Sequence, residues 1–529
     1  MERRFGERID VPLVGIRGSE TARGFSMRKS NVLILGVVLL ALPGAFAAPI
    51  NPDNPPQGRF SDEWSEIYFG GNKVGYAHAT MSRDGEQIQT TTSFHMRLGR
   101  DDQPVKIAVS QFNTETVTGG PIAFGSEMDM SVMKSATNGT VKDGKVTIVT
   151  SQYGMDQTQT FDFPKDAMLN GWGIYRESLK RGFKPGTTYT TATYSPELRL
   201  DGPVMAVTTV GDWEDFTHRG QTMKGQRVAV SLQAPTGTFE MISWVDAEGT
   251  PLKAKVPVAG LGDIEMLTVN EATALAEFAP PEFFNTTVIP AKRKIDRAKV
   301  NTIKYRITSK NPEVKIGDLP NTELQKVLSK TDQAIELQVA RTPHKPQSST
   351  PAPQAPPPSE YLESNLMINT GDEKLIALAK EAAGGEKDPF KLADKLRKFV
   401  TEYVTTKSLN IGFATASEVA RTREGDCSEH GVLLAALGRI NGIPSRVAVG
   451  LAYVPVFGRQ DDIFGYHMWT QFYIDGRWID VDAALRETDV SPARLTFAVS
   501  SLKNAGLADL SMPLLGLIGA IDIDILSVE

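Results

Sequence analysis

Cys427 is the only cysteine in a chain of 529 residues, and it stands at the head of a helix-forming run. The stretch Glu424-Gly425-Asp426-Cys427-Ser428-Glu429-His430 leads into an apolar segment from Gly431 to Ile440, closed by Gly442 and Pro444. Asp426 has the character of an N-cap, and Glu429 follows three residues later, as a capping box requires. Leu433, Leu437 and Ile440 share one face, and the glycine and proline end the helix. Cys427 therefore falls in the first turn. Unpaired backbone N–H groups and the positive dipole end favour a thiolate there. The Asp426 carboxylate opposes this unless capping occupies it. Taken alone, the cysteine reads rather as a small buried apolar side chain.

Forty residues on, an Asp475-Gly476 pair separates two alternating runs, His467 to Ile474 and Arg477 to Asp482. Such a pair is a strong short-range hairpin signal. A two-residue turn pairs Ile474 with Arg477 and sets Trp469 opposite Asp482. Alternation then collects His467, Trp469, Gln471 and Tyr473 with Trp478, Asp480 and Asp482 on one face. His467 is the diagonal neighbour of Asp482, about 7–8 Å away between backbones, a gap that imidazole and carboxylate can bridge. A three-residue turn would invert the parity. Asp480 is the rival third member, but it sits farther from His467 and nearer Gln471. His430, on the cysteine's own helix, reads as a packing or surface residue rather than a base. The combined set suits acyl transfer: Cys427 as nucleophile, His467 as general base and acid, Asp482 orienting the imidazole. Trp469, Trp478 and Asp480 are supporting residues of the same face.

At these residues the sequence resembles the transglutaminase-like superfamily. The resemblance is carried by the Gly425-Asp426-Cys427 helix start and the exit Gly442-Ile443-Pro444-Ser445-Arg446. It continues through His467-Met468-Trp469 and closes with Gly476, Trp478 and Asp482 in the spacing Gly-x-Trp-x-x-x-Asp. It spans roughly residues 370–485 and implies Cys427, His467 and Asp482 as the triad. It also implies a papain-like α+β core in which the cysteine helix packs on an antiparallel sheet. Two features depart from the family pattern. Ala483-Ala484 follows the aspartate where Pro-Thr is common, and no tryptophan lies between Trp244 and Trp469 to match the one that animal members place before the cysteine. The one oxyanion donor that can be named is the Cys427 backbone N–H.

The expected function is a secreted, cysteine-dependent acyl-transfer enzyme acting on protein or peptide carboxamides through a thioester. Hydrolysis is favoured over transfer to an amine, since water is ubiquitous outside the cell. The alternatives are a protein-crosslinking transglutaminase and, in a different class, a non-catalytic secreted binding or scaffold protein with a decayed core. No cofactor is expected. One cysteine cannot build a Cys-based metal cluster, and six scattered histidines give a metal site almost nothing. A net charge of −6 supplies no basic field for nucleic acid.

The elements that must position these groups follow from the rest of the chain. Met27-Arg28-Lys29, the apolar run Val32 to Leu42 and the ending Ala45-Phe46-Ala47 describe a cleaved secretory signal. That predicts a periplasmic or extracellular protein with no stable membrane anchor. Residues 1–26 form an upstream extension and 27–47 the signal. Residues 48–290 form an antiparallel β-rich domain, with turns at Gly71-Asn72, Asp84-Gly85, Asn138-Gly139, Asp143-Gly144 and Glu248-Gly249. His78, His95 and His218 fall in its strands and loops. A small β-containing connecting segment covers 291–341, with strands expected at 301–308 and 333–339. A proline-rich linker covers 342–359, the α+β core 360–500, with helices at 372–383 and 388–407, and a helix or strand extension 501–529.

Overall fold

The computed structural model describes residues 50–529 except 100–104, 131–132, 153–154, 197, 235–236, 259–261, 282–287, 313, 323, 343–356, 408–413, 458–459, 504–516 and 518. The expected signal, and most of the proline-rich stretch, lie outside the described residues.

Alternating apolar and β-branched residues build a single fifteen-stranded sheet between Gly58 and Val269. Its first strand, Gly58–Phe69, pairs on one side with Asn72–Asp84 and on the other with the last, Gly262–Val269. The strands are antiparallel except for one short pair, Met168–Leu169 beside Thr193 and Tyr194. One face carries a continuous core that includes Ile67, Phe94, Val109, Met241 and Ile264. Phe124, Val146 and Ile148 from one end of the strand order pack against Leu169 and Tyr194 from the other. The sheet thus curls back on itself, as a strongly twisted meander of this width must.

Three local expectations change here. The first hairpin turns at Gly70 and Gly71, both at positive φ, so its second strand starts at Asn72. Asn138-Gly139 lies inside the strand Met133–Lys142 rather than at a turn. A Cβ at Gly139 would collide with the Phe124 ring, so this glycine serves close packing. A helix, Trp172–Arg181, also interrupts the strands.

Beyond residue 360, Asp372 and Asp388 cap the helices Glu373–Ala383 and Pro389–Tyr403 through their carboxylates. The second helix ends at Tyr403, short of the expected 407. The β-branched residues that follow, Val404, Thr405 and Thr406, disfavour its continuation, and Thr406–Lys407 pairs instead with Glu424–Gly425. A further helix, Ala416–Thr422, is capped at its N-terminus by a capping box of Thr415 and Glu418. Leu375, Leu378, Leu392, Leu396 and Val400 pack with Leu433 and Leu437 of the buried helix Cys427–Ile440.

That helix lies on a second sheet. Ser445–Phe457 pairs with Gln460–Ile474 on one side and Arg494–Ser500 on the other. Two short strands share the outer edge of Gln460–Ile474. Ile289–Pro290 pairs at Ile463 and Phe464, and Arg477–Val481 pairs from Thr470 to Ile474. Among the described residues, no strand pairs with 465–469 along that edge.

Segments 291–341 and 501–529, separate in the sequence reading, close one small sheet. Its order is Gln325–Lys330, Ala334–Ala340, Thr302–Ser309 and the C-terminal Ile521–Val528. Ile303, Tyr305, Leu337 and Ile523 pack it on Leu451, Phe464 and Leu495 of the larger sheet. No helix among the described residues is long and apolar enough to cross a membrane.

Candidate active site

Cys427 occupies the first position of its helix, behind the N-cap Asp426. The Asp426 carboxylate accepts hydrogen bonds from the Ser428 N–H at 3.0 Å and the Ser428 hydroxyl at 2.8 Å. Its charge is therefore engaged in capping, which blunts its opposition to a thiolate next door. Glu429 completes the box, accepting from the Asp426 N–H at 2.9 Å, and its other oxygen accepts from the Ala414 N–H at 2.9 Å. Burial, and then the nearby Asp426 carboxylate, push the Glu429 carboxyl up to about 8. That shift favours the protonated form, while the two oxygens pin two chain segments beside Cys427. Gly425 is required here: its φ is 155°, and a Cβ would collide with the Glu429 side chain. His430 is buried, with Nδ1 against the Asp426 carbonyl oxygen.

Helix and strand keep step along their contact. Gly431 lies over Met468 and Trp469, and its carbonyl accepts from the Thr470 hydroxyl at 2.9 Å. Seven residues later, a Cβ at Gly438 would meet the Phe472 ring. A helix rises about 1.5 Å per residue and a strand about 3.4 Å, so seven helical residues match three strand residues. Extrapolated one turn back from Gly431, the same match brings the height of Cys427 along the strand to that of His467. Met468, Thr470 and Phe472 face the helix, whereas His467, Trp469 and Gln471 belong to the opposite face. His467 lies in the stretch 465–469, where no strand walls off that edge among the described residues.

The hairpin turn has two residues, Asp475 at φ 51° and Gly476 at φ 78°. Ile474 pairs with Arg477, and Gln471 with Asp480. His467 Nε2 and Asp482 Oδ2 are 2.7 Å apart, with side-chain exposures of 9% and 1%. The second Asp482 oxygen accepts from the Leu485 N–H at 2.8 Å. Asp480 is engaged elsewhere: its Oδ1 accepts from Trp469 Nε1–H at 2.9 Å and from Gln471 Nε2–H at 2.7 Å. The Trp469 ring runs nearly parallel to the imidazole, 6.1 Å between centroids. Trp478 lies farther along the face, with the Arg446 guanidinium over its ring at 3.9 Å and edge-on contacts to Tyr361 and Tyr473.

One group escaped the sequence reading. Arg494 Nη1 donates to Asp482 Oδ2 at 3.1 Å and Nη2 to Glu487 Oε2 at 2.7 Å, with the guanidinium 5.0 Å from the Trp469 ring centre. Burial would raise the Asp482 carboxyl, but His467 and Arg494 outweigh it and hold it well below the ordinary carboxylate range. A charged residue at the head of the otherwise uncharged strand Arg494–Ser500 was the available signal. Among the described residues, no group of three His, Cys, Asp or Glu side chains could hold a metal ion.

Residues 376–483 match the model of the transglutaminase-like superfamily, a span containing Cys427, His467 and Asp482. No curated protein matches the chain. Among solved structures, the chain is similar to a candidate cysteine protease from Cytophaga hutchinsonii, at 15% identity over 43% of this chain and 89% of that one, with a TM-score of 0.30. It is similar to a β-barrel-like protein of a domain of unknown function from Brucella abortus, at 15% identity over 40% and 95%, with a TM-score of 0.29. It is also similar to a candidate protease from Parabacteroides distasonis, at 11% identity over 70% and 68%, with a TM-score of 0.19. By its own strand order the front of the chain is a large β-rich region, and by the match at 376–483 the C-terminal α+β region carries a transglutaminase-like domain.

Proposed function

We propose that this protein is an exported cysteine-dependent acyl-transfer enzyme that hydrolyses protein or peptide carboxamides through a thioester. The 2.7 Å contact between His467 and Asp482, on the strand against which the Cys427 helix packs, carries the reading. The Cys427 thiolate attacks the carboxamide carbon, and the Cys427 N–H donates to the developing oxyanion. His467, protonated at the ring nitrogen facing the thiol, gives its proton to the departing amine as the C–N bond breaks. Water then adds to the thioester and loses a proton to His467, and C–S cleavage returns the thiolate. Asp482 accepts from His467 Nε2–H throughout, which fixes the tautomer. Among the described residues no strand pairs with 465–469 along that edge, which leaves room for thiol and imidazole to approach past the sheet.

The test is a glutamine-containing peptide library incubated with the protein purified without residues 1–47, with and without a primary amine. Cleaved peptides or deamidated glutamine support hydrolysis. Amine incorporation would move the assignment to a crosslinking transferase. No turnover, with Cys427 alkylating no faster than an ordinary thiol, would leave a binding protein. Export rests on the pattern from Met27 to Ala47. N-terminal sequencing of the exported form should start at Ala48, and a start at Met1 or Met27 would refute cleavage.

A further inference from the structure

Arg494 lies beyond the residues matched to the superfamily, yet it touches the carboxylate that touches His467. Its side chain is 3% exposed, and its two terminal nitrogens divide between Asp482 and Glu487. Glu487 in turn pairs with Arg297 at 3.0 Å, and the backbones of Asp482 and Glu487 exchange two hydrogen bonds of 2.8 Å. The loop from Asp482 to Arg494 is further pinned by the small sheet and its flanks. Arg341 donates to the Asp489 carbonyl, the Thr342 N–H to Val490, and the Tyr305 hydroxyl to Pro492. We infer that Arg494 is a positioning residue that fixes the Asp482 carboxylate for His467 and balances the charge behind the imidazole. The inference rests on the proposed Cys427–His467–Asp482 reading.

The charges make the role specific. Asp482 and Glu487 are offset by Arg494 and Arg297, so within this set a proton on His467 is the one charge left over, with Asp480 the further carboxylate that Arg494 faces. That left-over charge is what a neighbouring thiolate requires. Asp480 also faces Arg494 but is occupied by Trp469 and Gln471, and Tyr305 faces it from the small sheet. A side chain that kept only the charge would lose the planar fork that serves two carboxylates at once. Losing the charge would leave two buried carboxylates with less compensation, which disfavours the thiolate. Removing the Glu487 charge would do the opposite.

The experiment is the pH profile of Cys427 alkylation by iodoacetamide in the folded full-length protein. Wild type should alkylate on an acid limb well below that of a simple thiol, and His467→Ala should abolish the advantage. If His467→Ala changes nothing, the triad reading itself fails. With that control in place, Arg494→Lys should move the limb to higher pH and slow alkylation at pH 6 by about tenfold, the equivalent of one pKa unit. Glu487→Gln should move the limb lower. An unmoved limb in Arg494→Lys overturns the inference. A shift of both variants to higher pH overturns it too, because loosened packing alone would give that result. Should Arg494→Lys fail to fold, Glu487→Gln decides: a downward shift supports the inference and an upward or absent one overturns it.

Discussion

Asp480 and Asp482 leave the same face of the sheet two residues apart, yet only Asp482 meets His467; Asp480 is held by the Trp469 indole and the Gln471 amide. The two carboxylates therefore separate by partner rather than by exposure, since both are buried. Asp482→Asn should preserve the fold and lower turnover by up to about four orders of magnitude, as the imidazole loses the partner that fixes its tautomer. Asp480→Asn keeps an acceptor oxygen for Trp469 and should cost far less, about tenfold or under. Parallel kinetics on the two variants check this, and a more damaging Asp480→Asn would transfer the orienting role.

Cys427→Ala should abolish covalent turnover, because the chain holds no second thiol. Cys427→Ser should be nearly as inactive, since an alcohol is far harder to deprotonate. His467→Ala should approach Cys427→Ala in effect, as it removes both base and acid. Intact-mass spectrometry after incubation with an activated ester checks the series: only wild type should accumulate an acyl adduct quickly at neutral pH.

The parts of the site that sequence reveals are those set by short-range rules. The register of the hairpin follows from two residues, Asp475 and Gly476, whose positive φ values fit the tight turn. The start of the Cys427 helix is likewise local, written by Asp426 and Glu429. What escapes is long-range. Arg494 gains its meaning from a loop that doubles back through the Asp482–Glu487 bridge, and no periodicity announces that return. The C-terminal strand pairs with Thr302–Ser309, more than two hundred residues earlier, so the front and back of the core looked like separate pieces. Gly139 misleads for a related reason. Its signal in sequence is a turn, but its cause is an aromatic ring on the neighbouring strand.

Glu115 carries a pH dependence in the front sheet. It is fully buried at the start of the Trp172–Arg181 helix, where the N-cap Gly171 has no side chain to offer. Its Oε1 accepts from the Gly173 N–H at 2.9 Å, while Oε2 has no hydrogen-bond partner. Burial pushes the carboxyl from an ordinary 4.5 up to about 8, partly offset by the helix N–H groups. Between those values the folded state binds a proton that the unfolded chain releases. The stabilisation is complete below about pH 4.5 and is lost as pH rises through about 8, by up to about 1.4 kcal/mol per pH unit. Glu115→Gln keeps the acceptor and removes the titration. Calorimetry from pH 5 to 8.5 should show a shallower loss of stability in the variant, and identical slopes would refute the assignment.

Gly450 is the tightest backbone approach behind the site. It pairs with His467 on one side and Thr496 on the other, at an irregularity in the ladder between Ser445–Phe457 and Arg494–Ser500. A Cβ there would run into the Leu495 carbonyl oxygen, which is backbone and cannot swing aside as a flexible side chain would. Gly450→Ala must therefore push the Arg494 strand away from the His467 strand. The expected cost is about 2–3 kcal/mol, in the range for overpacking a buried position. Gly385 provides the control: its φ is 78° with nothing within 4 Å of a built Cβ, so Gly385→Ala carries backbone strain alone, about 1 kcal/mol. Because Arg494 and His467 lie on opposite sides of Gly450, the first variant should also slow Cys427 alkylation at neutral pH, and the second should not. Denaturant melts paired with alkylation rates would test both. A Gly450→Ala protein as stable and as reactive as Gly385→Ala would show that the two strands can part there without disturbing the contact between Arg494 and Asp482.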